Sequence, residues 1–179
     1  MHDLTDAGLG LAYGSLRLDR VAQSWIDAGV ALRDRTAEHV AELDVDVELI
    51  GSSCVLGLLA KPIVDLAVGT REGQHFVPVQ TALDTAGWIH RGDAGADGGH
   101  VFVLESAPWH RVGHLHVVDY EGEQWQNYLR LRDVLQRHPR ARARYESVKA
   151  ELWAEFGDDR VTYTEGKTDV IHELVTGRW

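Results

Sequence analysis

A single acid inside an apolar strand constrains this chain more than any other feature. The stretch Glu48-Leu-Ile-Gly-Ser-Ser-Cys-Val-Leu-Gly-Leu-Leu-Ala-Lys-Pro-Ile-Val-Asp-Leu-Ala-Val-Gly69 reads as an apolar strand, a Gly-Ser-Ser turn, a short helix-like segment and a second strand. Asp65 is the only charge among Pro62, Ile63, Val64, Leu66 and Val68. An unpartnered buried carboxylate costs several kcal/mol, so Asp65 must face a cleft or meet a cation or donor. Gly51, Ser52 and Ser53 are small and donor-rich, and backbone N–H groups with hydroxyls at such a turn suit a phosphate. An anion cradle beside a metal-binding acid is the local expectation.

The rest of the chain is arranged to build a sheet around that stretch. Residues 1–18 mix Gly and Asp with apolar residues and read as a partly ordered lead-in, with a single domain expected over 19–179. Val21, Trp25, Ala28, Leu32, Val40 and Leu43 recur at helical spacing and predict an amphipathic helix over 19–43, broken near Thr36. Val45, Val47 and Leu49 alternate with Asp46, Glu48 and Ile50 as a strand does. On the strand from Ile63 to Val68, the alternation puts Ile63, Asp65 and Ala67 on one face and Val64, Leu66 and Val68 on the core face. A helix over 76–86 closes at Gly87, and two strands, Trp88–Arg91 and His100–Glu105, flank the glycine-rich loop 92–99. A strand over 113–119 presents His114, His116 and Val118 together, and helices follow over 123–138, 139–156 and 168–175, with Gly157 at a helix end.

Gly-Ser-Ser, Val-Leu-Gly-Leu, Ala-Lys-Pro-Ile-Val-Asp, Gly-Trp-Ile-His-Arg-Gly, His-Leu-His-Val-Val and Tyr-Thr-Glu-Gly-Lys occur in that order between about Val21 and Val175. This ordered set resembles the GrpB-like (UPF0157) family, and the set is far more specific than any one motif. The resemblance implies an α/β (α+β) fold of the nucleotidyltransferase-like superfamily, a mixed sheet with an N-terminal helix and a C-terminal helical cap. It also implies a Gly-Ser turn that cradles a triphosphate and strand carboxylates that hold Mg²⁺.

Metal-dependent nucleotidyl transfer needs two or three carboxylates around its ions, and the usual strand pattern is Asp-x-Asp or Asp-x-Glu. Here it is Asp65-Leu66-Ala67, so the second acid is missing. His114 and His116 could replace it, shifting the preference from Mg²⁺ toward Mn²⁺ or Zn²⁺; a hydrogen-bonded histidine pair is the bland alternative. The expected set is Asp65, His114 and His116 for the metal, with Asp65 and His116 catalytic. For the phosphates it is Gly51, Ser52, Ser53, Lys61, Arg132, Tyr145, Lys149 and Lys167.

Several tempting motifs fail. Gly166-Lys167-Thr168 lacks the P-loop's earlier glycine, since Val161 stands there, though Lys167 can still meet an anion and a plain helix start explains it equally well. Gly51-Ser52-Ser53-Cys54-Val55 lacks the closing glycine of a nucleophile elbow, and Cys54 reads as a small buried residue. Arg140, Arg142 and Arg144 cannot share one helix face. The tryptophans read as packing residues, with Trp109 the ring available for stacking on a substrate.

The charge balance is 18 basic against 28 acidic residues, which argues against a general nucleic-acid binder. One cysteine, no basic leader and no apolar run of the ~18 residues a span requires predict a cytoplasmic protein with no membrane association. The preferred expectation is metal-dependent transfer from a nucleoside triphosphate to a small-molecule acceptor. The alternatives are a degenerate nucleotide-binding module without catalysis, motivated by Ala67, and a His/Asp metal-dependent hydrolase.

Overall fold

The computed structural model describes residues 2–94, 99–156 and 159–179. Its centre is a mixed sheet in the order β3-β5-β8-β7-β6, built from β3 (Val45–Ile50), β5 (Val64–Thr70), β8 (His110–Asp119), β7 (His100–Ala107) and β6 (Ile89–Asp93). β5 and β8 run parallel, and the other pairs along this path are antiparallel. A parallel pair needs a long crossover, and the chain between them supplies it as α3 (Phe76–Thr85) and the β6–β7 hairpin.

Alternation sorts the two faces as the sequence predicts. Leu66, Val68, Leu115, Val117 and Phe102 pack into the main core beneath α2 (Gln23–His39) and α3. On the opposite face Ile50, Ala67 and Val118 meet Trp125 of α4 (Glu123–Arg137). The remainder of that face lies under α5 (Pro139–Phe156), α6 (Arg160–Glu165) and α7 (Thr168–Val175). The architecture is therefore the mixed sheet with a leading helix and a C-terminal helical cap expected above.

Three local expectations differ from what is observed. α2 runs unbroken through Thr36, because that hydroxyl donates back to Leu32 O (2.9 Å) and accepts from Trp88 Nε1 (3.3 Å), so its polarity is satisfied inside the core. The stretch around Tyr163 forms the short helix α6, which no apolar periodicity announced. The lead-in is packed: α1 (His2–Asp6) buries Leu4, Leu9 is buried beyond it, and β1 (Leu11–Ala12) pairs with β8. Gly10 N–H also donates to Pro62 O at 2.7 Å. Gly87 closes α3 at φ +89°. Residues 95–98 of the glycine-rich loop, and Gly157 at the expected helix end, lie outside the described residues.

Among the described residues no helix is long and apolar enough to cross a membrane. Because Leu4 is fully buried, Leu4→Ala should cost about 2–5 kcal/mol in urea denaturation. An unchanged midpoint would mean that the N-terminal segment is not part of the cooperative core.

Candidate functional site

The sheet registers decide which side chains meet. Ile50 lies opposite Asp65 across β3–β5, and Asp65 and Ala67 lie beside His114 and His116 across β5–β8. Asp65, His114 and His116 therefore share a face, and above it the helical cap leaves a cavity of about 650 Å³. Asp65 opens onto this cavity, its side chain 31 % exposed.

Gly51 is required on steric grounds. Its φ is +77°, and a Cβ there would fall 2.6 Å from Asp65 Oδ2, so the turn backbone lies directly against the carboxylate. On its other side, Asp65 Oδ1 lies 3.4 Å from His114 Nδ1. Burial alone would raise the Asp65 carboxyl, but the His114 hydrogen bond and the positive charge of His114, His116 and Lys167 prevail and hold it below the usual carboxylate range.

Cations converge on this acid from three segments. Lys61 follows β4 (Leu59–Ala60), which pairs with β2 (Asp19–Arg20), Lys149 projects from α5 and Lys167 stands at the start of α7. Aromatic rings support them: the Lys61 and Lys167 ammoniums lie 4.8 Å and 4.9 Å from the Tyr163 ring centroid, and that of Lys149 lies 4.9 Å from Tyr145. Lys149 is 2 % exposed and donates to Leu59 O and to Ser52 Oγ (3.3 Å). Burial, then the like charges of Lys167 and Lys61, pull its ammonium down to about 7, against the opposing pull of Asp65 and Glu146. Tyr145 shares a hydrogen bond with Ser52, while burial pushes its hydroxyl up. The Tyr163 hydroxyl is likewise pushed up to about 12, is buried and has no hydrogen-bond partner.

Of the residues expected from sequence, Gly51, Ser52, Lys61, Asp65, His114, His116, Tyr145, Lys149 and Lys167 line the cavity. Two do not. Ser53 turns inward with its hydroxyl buried. Arg132 is drawn to β3, where Nη1 donates to Glu48 Oε2 (2.8 Å) and Leu49 O (3.1 Å) while Nε meets Asp133. The Gly-Ser-Ser turn is a three-residue 3₁₀ segment (Ser52–Cys54), too short to offer a helix N-terminus to a phosphate. Cys54 is buried, its Sγ 3.1 Å from Gly51 O, and burial pushes the thiol up to about 12, consistent with a packing residue. Trp109 is 71 % exposed, stands edge-on to Tyr13 at 5.6 Å, and does not line the cavity.

The sequence reading missed Arg91, Arg111, Tyr13 and Tyr163. In β6 the pairing passes from His90–Phe102 to Gly92–Val101, so Arg91 is an inserted bulge residue. In β8 it passes from Gly113–Leu104 to Arg111–Glu105, so Val112 is the extra residue and Arg111 swings onto the face of His114. Bulges re-aim side chains in this way. Arg91 is paired with Glu105 (2.8 Å) and Tyr13 OH (3.0 Å), and the buried Arg111 guanidinium lies 4.5 Å from the Tyr13 ring centroid.

The cavity holds fewer carboxylates than metal-dependent nucleotidyl transfer ordinarily uses. Mg²⁺ is commonly held by one or two carboxylates together with substrate phosphates and water, and Asp65 is the one carboxylate lining the cavity among the described residues. Ala67 offers no oxygen, and Glu48, opposite Ala67, is bound by Arg132. A catalytic Zn²⁺ wants three protein ligands, and no three His, Cys, Asp or Glu side chains converge among the described residues.

Residues 15–176 match the family model described as GrpB protein, and the chain belongs to that family. It is 28 % identical over 172 residues to the glutamate-rich protein GrpB of Alkalihalophilus pseudofirmus, covering 93 % of this chain and 98 % of the relative. A UPF0157 protein of Streptomyces coelicolor is 38 % identical over 147 residues, 82 % of this chain and 75 % of the relative. Among solved structures, the conserved protein GrpB from Enterococcus faecalis superimposes with a TM-score of 0.75 at 22 % identity, covering 91 % of this chain and 99 % of that one. A chain of the GLD-2/RNP-8 complex superimposes with a TM-score of 0.53 at 12 % identity, covering 97 % of this chain and 64 % of that one. Both structural likenesses concern the fold.

With its ammonium depressed to about 7 in the fold and near ~10.4 when unfolded, Lys149 binds fewer protons folded than unfolded between those values. Its contribution to stability therefore rises with pH across that window. Lys149→Met removes the charge at every pH, so the melting temperature of Lys149→Met minus that of wild type should fall as pH is raised from ~6 to ~9. A flat difference would mean that Lys61, Lys167 and burial do not depress this ammonium.

Proposed function

We propose that the cavity binds the phosphate chain of a small molecule, with a nucleoside triphosphate as the leading ligand. The observation that carries this reading is the convergence of Lys61, Lys149 and Lys167 on a pocket with one carboxylate, in a chain whose overall charge is −10. A buried lysine whose proton affinity is lowered further by two neighbouring lysines marks a site that gains from an anion. Ser52 and the Tyr163 hydroxyl add neutral donors beside them. The acidic balance of the chain favours a small molecule over a nucleic acid.

A second reading is nucleotidyl transfer to a small-molecule acceptor. It is favoured by the placement of Asp65 against the Gly51–Ser52 turn and by the GLD-2/RNP-8 likeness, which points to a nucleotidyltransferase-like scaffold. In this reading Asp65 and His116 carry the proton transfers. Incubation with labelled ATP or GTP separates the two: label appearing on an acceptor supports transfer, and retention without turnover supports a binding module.

The binding reading predicts micromolar or tighter association of ATP or GTP by calorimetry. Lys149→Met should weaken it by about 1.5–3 kcal/mol, the worth of hydrogen bonds to charged groups, and Lys167→Met should act in the same direction. Unchanged affinity in both variants would remove the phosphate role from this cavity.

A further inference from the structure

We infer that the phosphate chain is taken up as the free anion, with the lysines of the cap standing where a divalent metal would otherwise neutralise it. This inference rests on the phosphate-binding reading and goes beyond it by specifying the ligand's ionic form.

A magnesium-complexed polyphosphate presents two fewer negative charges and asks the protein for oxygen ligands. The cavity supplies the reverse. Its charged lining among the described residues is Lys61, Lys149, Lys167, Arg91 and Arg111, with Asp65 as the one acid, and Glu105 outside the lining already pairs with Arg91 at 2.8 Å. Asp65 lies 3.4 Å from His114 Nδ1 and shares the cavity with Lys61, Lys149 and Lys167, so a divalent ion on it would find ammoniums nearby and no second carboxylate in the lining among the described residues.

The groups lining the cap side are donors. Tyr163 is one of the lining residues, its hydroxyl is buried without a hydrogen-bond partner, and its ring carries the ammoniums of Lys61 and Lys167 at 4.8 Å and 4.9 Å. A buried hydroxyl without a partner is costly, and a phosphate oxygen beside those two lysines would satisfy it. A phenol keeps its proton at neutral pH, and burial raises this one further, so it donates to such an oxygen. Lys149, anchored by Leu59 O and Ser52 Oγ, adds a third ammonium from α5. Ammoniums, a phenol and a serine hydroxyl around one acid recognise a multiply charged oxyanion; they do not coordinate a metal.

The test is calorimetric titration of the full chain with inorganic tripolyphosphate and with ATP, each in EDTA and each with Mg²⁺ in excess of the ligand. Binding in EDTA that weakens tenfold or more with Mg²⁺ is expected, because the metal takes the charge that the lysines recognise. Lys167→Met should lower the EDTA affinity at least tenfold, and Lys61→Met provides a second variant should the first fail to fold. Arg137→Gln, at a side chain 74 % exposed, should leave affinity unchanged; a loss there as large as at Lys167 would place the anion outside the cavity and overturn the inference. Binding that requires Mg²⁺, or tightens with it, overturns the free-anion form while leaving the phosphate reading intact. Absence of binding in both conditions overturns the phosphate reading itself, and this inference with it.

Discussion

The parallel pairing of β5 and β8 is the constraint on which the cavity depends. It sets Asp65 beside His114 and Ala67 beside His116 in adjacent rows of one sheet face, while the antiparallel partner β3 brings Ile50 and then the Gly51 turn against the same carboxylate. A slip of β5 by one residue would turn Asp65 to the main-core face and expel Leu66 and Val68 from it. That core resists the slip, since the apolar side chains of β5 and β8 on the other face are almost fully buried beneath α2 and α3. Hydrophobic burial on one side of the sheet thus fixes electrostatics on the other.

The cap supplies the opposite charge from segments far apart in sequence. Lys149 and Lys167 come from the cap helices and Lys61 from the segment after β4, and the Tyr145 and Tyr163 rings lie against their ammoniums. Crowding these cations in a desolvated pocket opposes folding, and the depressed Lys149 is the direct expression of that cost. Function readily explains why a fold would retain such an arrangement, because an anion relieves both the like-charge repulsion and the buried phenol without a partner.

Much of this was legible in the sequence, and what was not has identifiable causes. Period-2 alternation was enough to place Asp65, His114 and His116 on one face, because β5 is regular there and β8 is regular from Gly113 onward. Alternation fails where a strand gains a residue: the bulge at Val112 carries Arg111 to the cavity against its sequence parity, while Arg91 keeps the parity of Ile89. Tyr13 was hidden because its segment has no periodicity, its position depending on the β1–β8 pairing and the Tyr13–Trp109 backbone bond. Arg132 has the charge for a phosphate role, but Glu48 stands closer, a contact that depends on how α4 crosses β3. The missing second carboxylate was visible at Ala67, and the structure adds that its neighbour Glu48 is committed elsewhere.

The central claim is that the cap lysines and the sheet acid form one oxyanion site, and a crystal structure of the protein with tripolyphosphate tests it most directly. The account predicts phosphate density within hydrogen-bonding distance of Lys149 Nζ, Lys167 Nζ and the Tyr163 hydroxyl, with no metal bridging it to Asp65. Density confined to the exposed arginines of α5, with the cavity holding only water, would contradict it.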